Sequence, residues 1–421
     1  VKAAPPRPGA QDTAAAVLDL SRLNQRGPSW RDWILDGLSR ACSVHSMVNS
    51  MLGPDWSERE ARQAVREGQA LLRLRALGVD SLAQCPPRVQ RRVTERIFVS
   101  VAAYCEPHLL HTVTDAVRKS ARPENLVFGV VDQVAESRLA AVVDAAGLAE
   151  VRYLQIAPAQ ARGVCWARAL AFSLAHGERY LMQIDSHMLF EPGWDDVLLD
   201  QYDDLVDAHG SCRQILSTYP MPFEFEDGTP VASAQPAPGH VLVLRPRPGE
   251  RVTARDVRVA YEAHAQPSDG PVRARHLAAG FLFTDARFMQ EIPYDPYLYF
   301  SGEEHSLAAR AFTHGWDIWH PLRTPLFHLY KTSGRAYAQH HWDAAADRDR
   351  DTAWHALDNR ARERLLDLFL GRRNLGVYGL GSVRSIHDML WGNPLAPVQA
   401  AFETPGAAQP ASRPPHAEAA G

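Results

Sequence analysis

The sequence predicts an α/β protein. A mostly parallel sheet with helices on both faces is expected, preceded by a helical region and followed by a helical extension. Three observations carry this. Between residues 97 and 185, apolar runs of strand length alternate with helix-length amphipathic segments, the pattern of βαβ units. One of those runs ends in a carboxylate with an imidazole two positions later, Asp185 and His187. The chain has 421 residues, 46% hydrophobic and 22% charged, which suits a large globular domain with a smaller accessory part.

The elements follow in order. Residues 1–16 and 403–421 are rich in Pro and Ala and read as disordered tails. From 29 to 52 a helical period runs through Ile34, Leu38, Ala41, His45, Val48 and Leu52, with Ser29 as its cap. Ser57-Glu58-Arg59-Glu60 is a capping-box pattern opening a helix to about Gly78. The Arg-rich faces of this 17–92 region suit solvent.

Strands are predicted over Ile97–Val101, Leu126–Val131, Val151–Ile156 and Tyr180–Asp185. Helices are predicted over Pro107–Ser120 and about 162–176. In such sheets ligands bind at the carboxyl ends of the strands. Residues 221–275 break the rhythm and read as an insertion or long loop over the sheet edge. A helix follows at 304–314, and an Arg-rich one at 357–373 lies within a helical extension over 331–392. The domain division read from this is 1–16, 17–92, 93–330, 331–392 and 393–421.

Charge and cysteine usage narrow the function. A net charge of -4 implies no general attraction to nucleic acid. The five cysteines are scattered without a C-x-x-C pair, which argues against a disulfide framework or zinc ribbon. No stretch has the ~20 apolar residues of a membrane span, and no apolar leader is visible, so a cytoplasmic location is expected. The chain has 42 arginines against three lysines, a bias of GC-rich genomes that points to a bacterial source.

Asp185 and His187 are two apart on an extended chain, so their side chains point the same way. Oxygen plus imidazole suits a borderline-hard cation such as Mn²⁺ or Mg²⁺. The alternative is an Asp capping a turn with a His packed nearby. No G-x-S-x-G, H-E-x-x-H or G-x-x-x-x-G-K-[ST] occurs, and Gly379-Leu380-Gly381 does not complete a dinucleotide fingerprint.

A set of short segments in fixed order adds to this reading. It comprises Val99-Ser100-Val101-Ala102-Ala103-Tyr104, Ala161-Arg162-Gly163 through Trp166-Ala167-Arg168, Gly177-Glu178-Arg179-Tyr180 leading into Gln183-Ile184-Asp185-Ser186-His187, and Trp194-Asp195. Leu216-Ser217-Thr218-Tyr219-Pro220, Ala279-Gly280-Phe281 and Pro293-Tyr294-Asp295-Pro296 come next. Gly302-Glu303-Glu304, Thr313-His314-Gly315 and Phe327-His328-Leu329-Tyr330 complete the set. In these segments the chain resembles glycosyltransferase family 60, the GlcNAc-transferases whose eukaryotic members modify hydroxyproline.

The resemblance implies a GT-A fold, a retaining mechanism and a UDP-sugar donor, UDP-GlcNAc in this family. It implies a third metal ligand, His328, with His320 and His314 as substitutes. It implies a uridine site near Ala102, Tyr104, Glu106 and Asp132, with Ser186 beside the donor. Arg162 or Arg168 would contact phosphate or brace Asp185. Glu303 and Glu304 would grip sugar hydroxyls and face the acceptor, with Asp195 and Asp295 as lesser candidates. The acceptor stays open between polypeptide, glycan and small molecule, and self-association through the N-terminal helices is an open expectation. Two other function classes remain: a metal-dependent nucleotidyltransferase or phosphodiesterase, and an inactive UDP-sugar-binding module.

Overall fold

The structure, a computed structural model, describes residues 21–40, 42–76, 95–250, 255–330 and 340–391. The expected tails, Ala41 of the first helical stripe, and residues 17–20, 77–94, 251–254, 331–339 and 392 lie outside the described residues. The chain divides into two compact units, Val1–Glu95 and Arg96–Gly421.

The first unit is helical. The single period expected over 29–52 is two helices, Pro28–Ser39 and Val44–Met51. Ser29 is not the cap. The first helix starts at Pro28 behind Gly27, whose φ of 88° suits glycine. The break comes at Ser43, whose side chain accepts from the Ser46 amide at 3.1 Å and caps the second helix. The capping box opening Glu58–Ala76 forms in both directions: the Glu60 amide donates to Ser57 Oγ at 3.3 Å, and the Ser57 amide to Glu60 Oε2 at 3.2 Å.

The second unit is built on an eight-stranded sheet. Its strands are β1 (Ile97–Tyr104), β2 (Leu126–Gln133), β3 (Glu150–Ile156), β4 (Tyr180–Ile184), β6 (Gln214–Ser217), β11 (Val272–Ala274), β12 (Phe281–Asp285) and β13 (Asp317–His320), in the order β11-β13-β6-β12-β4-β1-β2-β3. Only β12 and β11 run antiparallel to their neighbours. Both faces are covered, and β2 is buried along its whole length, so these strands read as continuous apolar runs. Gly129 in β2 has a packing reason: a Cβ there would lie 2.2 Å from the Phe98 ring.

Two apolar layers sandwich the sheet. One gathers Val99, Val101, Phe128, Met182 and Trp194. The other gathers Phe98, Leu181, Leu282, Tyr299 and Trp316, and takes in Ala361, Leu365 and Leu366 of the C-terminal helix Trp354–Leu370. The architecture is mixed α/β, built on a large and mostly parallel sheet, as the sequence predicts.

The described part of 221–275 is not a long loop. They form β7 (Met221–Glu226), β8 (Thr229–Ala232), β9 (His240–Pro246), β10 (Tyr261–Pro267) and β11. Asp227-Gly228, with φ of 48° and 80°, turns β7 into β8, the two-residue hairpin signal. β7 and β8 join β5 (Met188–Phe190) and β14 (Leu326–His328) in a second sheet, ordered β5-β14-β7-β8. The helices expected at 162–176, 304–314 and 357–373 are Val164–Phe172, Glu303–Thr313 and Trp354–Leu370. The last stops at Gly371, which adopts a φ of 62°.

Candidate active site

The chain runs outward from β1 through β2 to β3, then returns to β4 on the other side of β1. That reversal opens a crevice at the carboxyl ends of β1 and β4. Asp185 follows β4 directly. His187 precedes β5, and β5 pairs antiparallel with β14 so that His328 lies opposite Met188. The Leu329 amide donates to the His187 carbonyl at 3.1 Å, pinning this register. One ligand atom from each of Asp185, His187 and His328 falls within 4.8 Å of the other two.

Each of the three is held. Asp185 Oδ1 accepts from Arg168 Nη2 at 2.5 Å, and its Oδ2 lies 3.1 Å from His328 Nε2. Burial works to raise the Asp185 pKa. The His328 hydrogen bond and the charges of Arg168, His328 and His187 outweigh it and hold the carboxyl well below the usual carboxylate range. His187 Nδ1 pairs with Glu106 Oε2 at 2.9 Å, which orients the ring and leaves Nε2 for a ligand. One carboxylate with two imidazoles, one of them braced by a second carboxylate, is a donor set that fits Mn²⁺.

Behind Asp185 lies a buried chain of groups. Arg168 Nη1 donates to Glu303 Oε1 at 2.6 Å, and Tyr294 OH donates to the same oxygen. The neighbouring Glu304 accepts from the Ala279 amide at 2.8 Å and from the Tyr219 hydroxyl. Burial pushes Glu304 up to about 7, against the lowering effect of those two hydrogen bonds. Gly280 packs on the cluster: a Cβ there would sit 2.7 Å from Asp185 Oδ2.

The remaining expected residues are distributed unevenly. Ala102 and Tyr104 sit on the last turn of β1, half-buried. Ser186, between Asp185 and His187 in the chain, is buried, and its carbonyl accepts from Thr112 at 3.0 Å. Asp132 is fully buried, with Arg138 on both oxygens at 2.8 and 2.6 Å and Tyr153 OH at 2.7 Å. It presents no free carboxylate to the crevice and is not a helix cap. Arg162 is exposed and lies over the Trp166 ring, 5.6 Å from its centroid.

His320 and His314 do not join the cluster. His320 is occupied by the Ser217 carbonyl and the Leu244 amide, at 2.8 and 3.1 Å. His314 Nδ1 sits 2.8 Å from the Arg310 carbonyl. Asp195 binds Ser120 and the amides of Ala121 and Arg122. Asp295 holds its own turn through the Tyr297 amide and pairs with Arg364 at 2.6 Å. Sequence reasoning did not find Glu106 as the partner of His187 or Tyr219 as the partner of Glu304. These contacts span 81 and 85 residues, and no local pattern announces them.

A family model described as Glycosyltransferase (GlcNAc) matches residues 138–384. No curated protein sequence matches. Among solved structures, GalNAc-T7 with UDP, GalNAc and Mn²⁺ is similar at 14% identity and a TM-score of 0.44, over 72% of this chain and 58% of that one. The present chain therefore spans about 58% of that protein's length. S. aureus TarS 1-349 in complex with UDP-GlcNAc is similar at 14% identity and a TM-score of 0.36, over 66% of this chain and 72% of that one. The family model covers more than half of the chain, and the protein belongs to that glycosyltransferase family.

Proposed function

We propose that the protein is a retaining, metal-dependent transferase that moves GlcNAc from UDP-GlcNAc to an acceptor hydroxyl, in the manner of glycosyltransferase family 60. The observation that carries this reading is the convergence of Asp185, His187 and His328 at the switch point of the sheet. These three residues would hold Mn²⁺ or Mg²⁺. When bound, such an ion neutralises the charge that develops on the leaving diphosphate.

The protein groups have distinct tasks. Arg168 keeps Asp185 ionised and fixed. Glu106 fixes the His187 tautomer. Ala102, Tyr104 and Ser186 border the donor, and Glu303 and Glu304 lie on the sugar side. The bond between the anomeric carbon and the β-phosphate oxygen breaks. A bond from the same carbon to the acceptor oxygen forms on the same face, and the acceptor proton passes to the departing phosphate. This front-face path is supported by the state of the two glutamates. Glu303 is paired with Arg168 and Tyr294, and Glu304 with Tyr219 and Ala279, so neither offers a free carboxylate as a nucleophile. A polypeptide hydroxyl is the acceptor class we favour, by analogy with the family.

The test is a panel of UDP-sugars with Mn²⁺, following nucleotide release by wild type and Asp185→Ala. Wild type is expected to release UDP from UDP-GlcNAc, and the variant to lose nearly all release while melting as a folded protein. Release of UMP instead would refute sugar transfer in favour of phosphotransfer. Full activity in Asp185→Ala would refute the metal site.

A further inference from the structure

The site residues are linked by a series of contacts joined by short stretches of chain. From Asp185 it passes through Arg168 to Glu303 at 2.5 and 2.6 Å. Four residues before Glu303, the Tyr299 hydroxyl meets His341 Nδ1 at 2.8 Å. The His341 ring packs on Tyr104, with centroids 5.0 Å apart. Two residues after Tyr104, Glu106 holds His187, whose ring lies 4.8 Å from that of His328, and His328 returns to Asp185. The part of the series that meets the end of β1 comes from a segment beyond the second sheet, residues 340–354.

Two side chains of that segment grip Tyr104. Arg350 Nη2 donates to the Tyr104 hydroxyl at 3.0 Å, with its guanidinium carbon 5.9 Å from the ring centroid. Arg350 is itself fixed, donating from Nη1 to Asp347 Oδ1 at 2.9 Å, and its side chain is 1% exposed. Asp347 Oδ1 also accepts from the Trp354 amide at 2.7 Å, which ties the clamp to the start of the long C-terminal helix. The Asp351 amide anchors the segment on the Ala159 carbonyl at 3.3 Å. Tyr104, at the end of β1, is thus held at its hydroxyl by a cation and against its ring by an imidazole, both supplied from about 240 residues away.

We infer that Arg350 and His341 are positioning residues for donor binding: they hold the Tyr104 ring in the orientation that receives the nucleoside of the donor. The inference rests on the UDP-sugar reading above. A base stacked on an aromatic side chain gains more affinity where the ring is already oriented, because ordering it on binding costs part of the gain. The C-terminal extension then belongs to the donor site as well as to the core.

The experiment measures UDP affinity in saturating Mn²⁺, and Mn²⁺ affinity alone, for the full chain. The proteins are wild type, Tyr104→Phe, Arg350→Met and the double variant. Arg350→Met is expected to weaken UDP about tenfold and to leave Mn²⁺ binding unchanged. Tyr104→Phe keeps the ring and loses only the hydroxyl that Arg350 grips. It should weaken UDP by a few-fold, and the double variant should be no worse than Arg350→Met. In turnover, donor KM should rise while kcat holds. Should Arg350→Met fail to fold, Tyr104→Phe carries the test through the same KM and kcat split. Unchanged UDP affinity in both single variants, or strictly additive losses, overturns the positioning role and leaves the donor reading intact. A wild type that binds Mn²⁺ but not UDP overturns both.

Discussion

Replacing Gly280 by alanine tests the metal site from a residue that is not a ligand. The added Cβ would lie 2.7 Å from Asp185 Oδ2 and 3.3 Å from Asp185 Cγ. Ordinary contact begins near 3.4 Å, so one partner must move by about 0.7 Å, several times the ~0.2 Å tolerance of a metal–ligand distance. The carboxylate cannot yield easily. Arg168 holds Oδ1 at 2.5 Å, and His328 lies 3.1 Å from Oδ2. The backbone cannot yield easily either, because the Asp185 amide donates to the Gly280 carbonyl at 3.2 Å. Mn²⁺ affinity should therefore fall by roughly 10–100-fold, the scale of lost ligand support. Gly280 has no left-handed φ, so the fold should survive. Titration by electron paramagnetic resonance measures the affinity, and a thermal melt confirms folding. A Gly280→Ala protein that melts normally and binds Mn²⁺ as tightly as wild type would refute the reading of Asp185 as a metal ligand.

Two further expectations follow from the surrounding groups. Glu106→Gln should lower Mn²⁺ affinity by about 10–100-fold, because an amide no longer fixes the His187 tautomer as a carboxylate does; Mn²⁺ titration against wild type checks it. Glu304 has a folded pKa raised from 4.5 to about 7, so between those values the native state binds more protons than the unfolded chain. Its contribution is present in full below the unfolded pKa and is lost as pH rises through the folded one, a swing of about 3 kcal/mol. Denaturant melts from pH 4 to 8 should show that downward slope in wild type and lose it in Glu304→Gln.

The parts of the fold that were legible are those buried on both faces. β1, β2 and β4 are continuous apolar runs because water reaches neither side. Other strands escaped because they carry no such signal: β8 is almost wholly exposed and β10 is buried mainly at its first residue, and the Asp227-Gly228 turn marks only the β7–β8 pair. At the site, Asp185 and His187 were visible because two positions on an extended chain share a face. His328 came through resemblance to a family, since nothing in Phe327-His328-Leu329 separates a ligand from a packed histidine. The reading of Asp132 as a nucleotide contact failed to foresee Arg138, six residues on, which takes both of its oxygens. A strand-end carboxylate is equally suited to a ligand and to an arginine fork, and only the fold decides between them.

The proposed ligand set would also couple metal binding to a part of the fold remote from the large sheet. Asp185 belongs to the end of β4, whereas His328 belongs to β14, and the β5–β14 pairing brings the two together. Side chains alternate along a strand, so a one-residue slip of β14 would send His328 to the opposite face. A cation held by all three residues binds the paired state and not the unpaired one. It should stabilise the folded protein by about 2.7 kcal/mol at one hundred times its dissociation constant. Calorimetric melts with Mn²⁺ and with a chelator should differ accordingly in wild type. Asp185→Ala and His328→Ala should each abolish the difference, although they sit on different sheets. If His328→Ala kept the full Mn²⁺-dependent shift, the ion would be held without β14, and the small sheet would have no part in building the site.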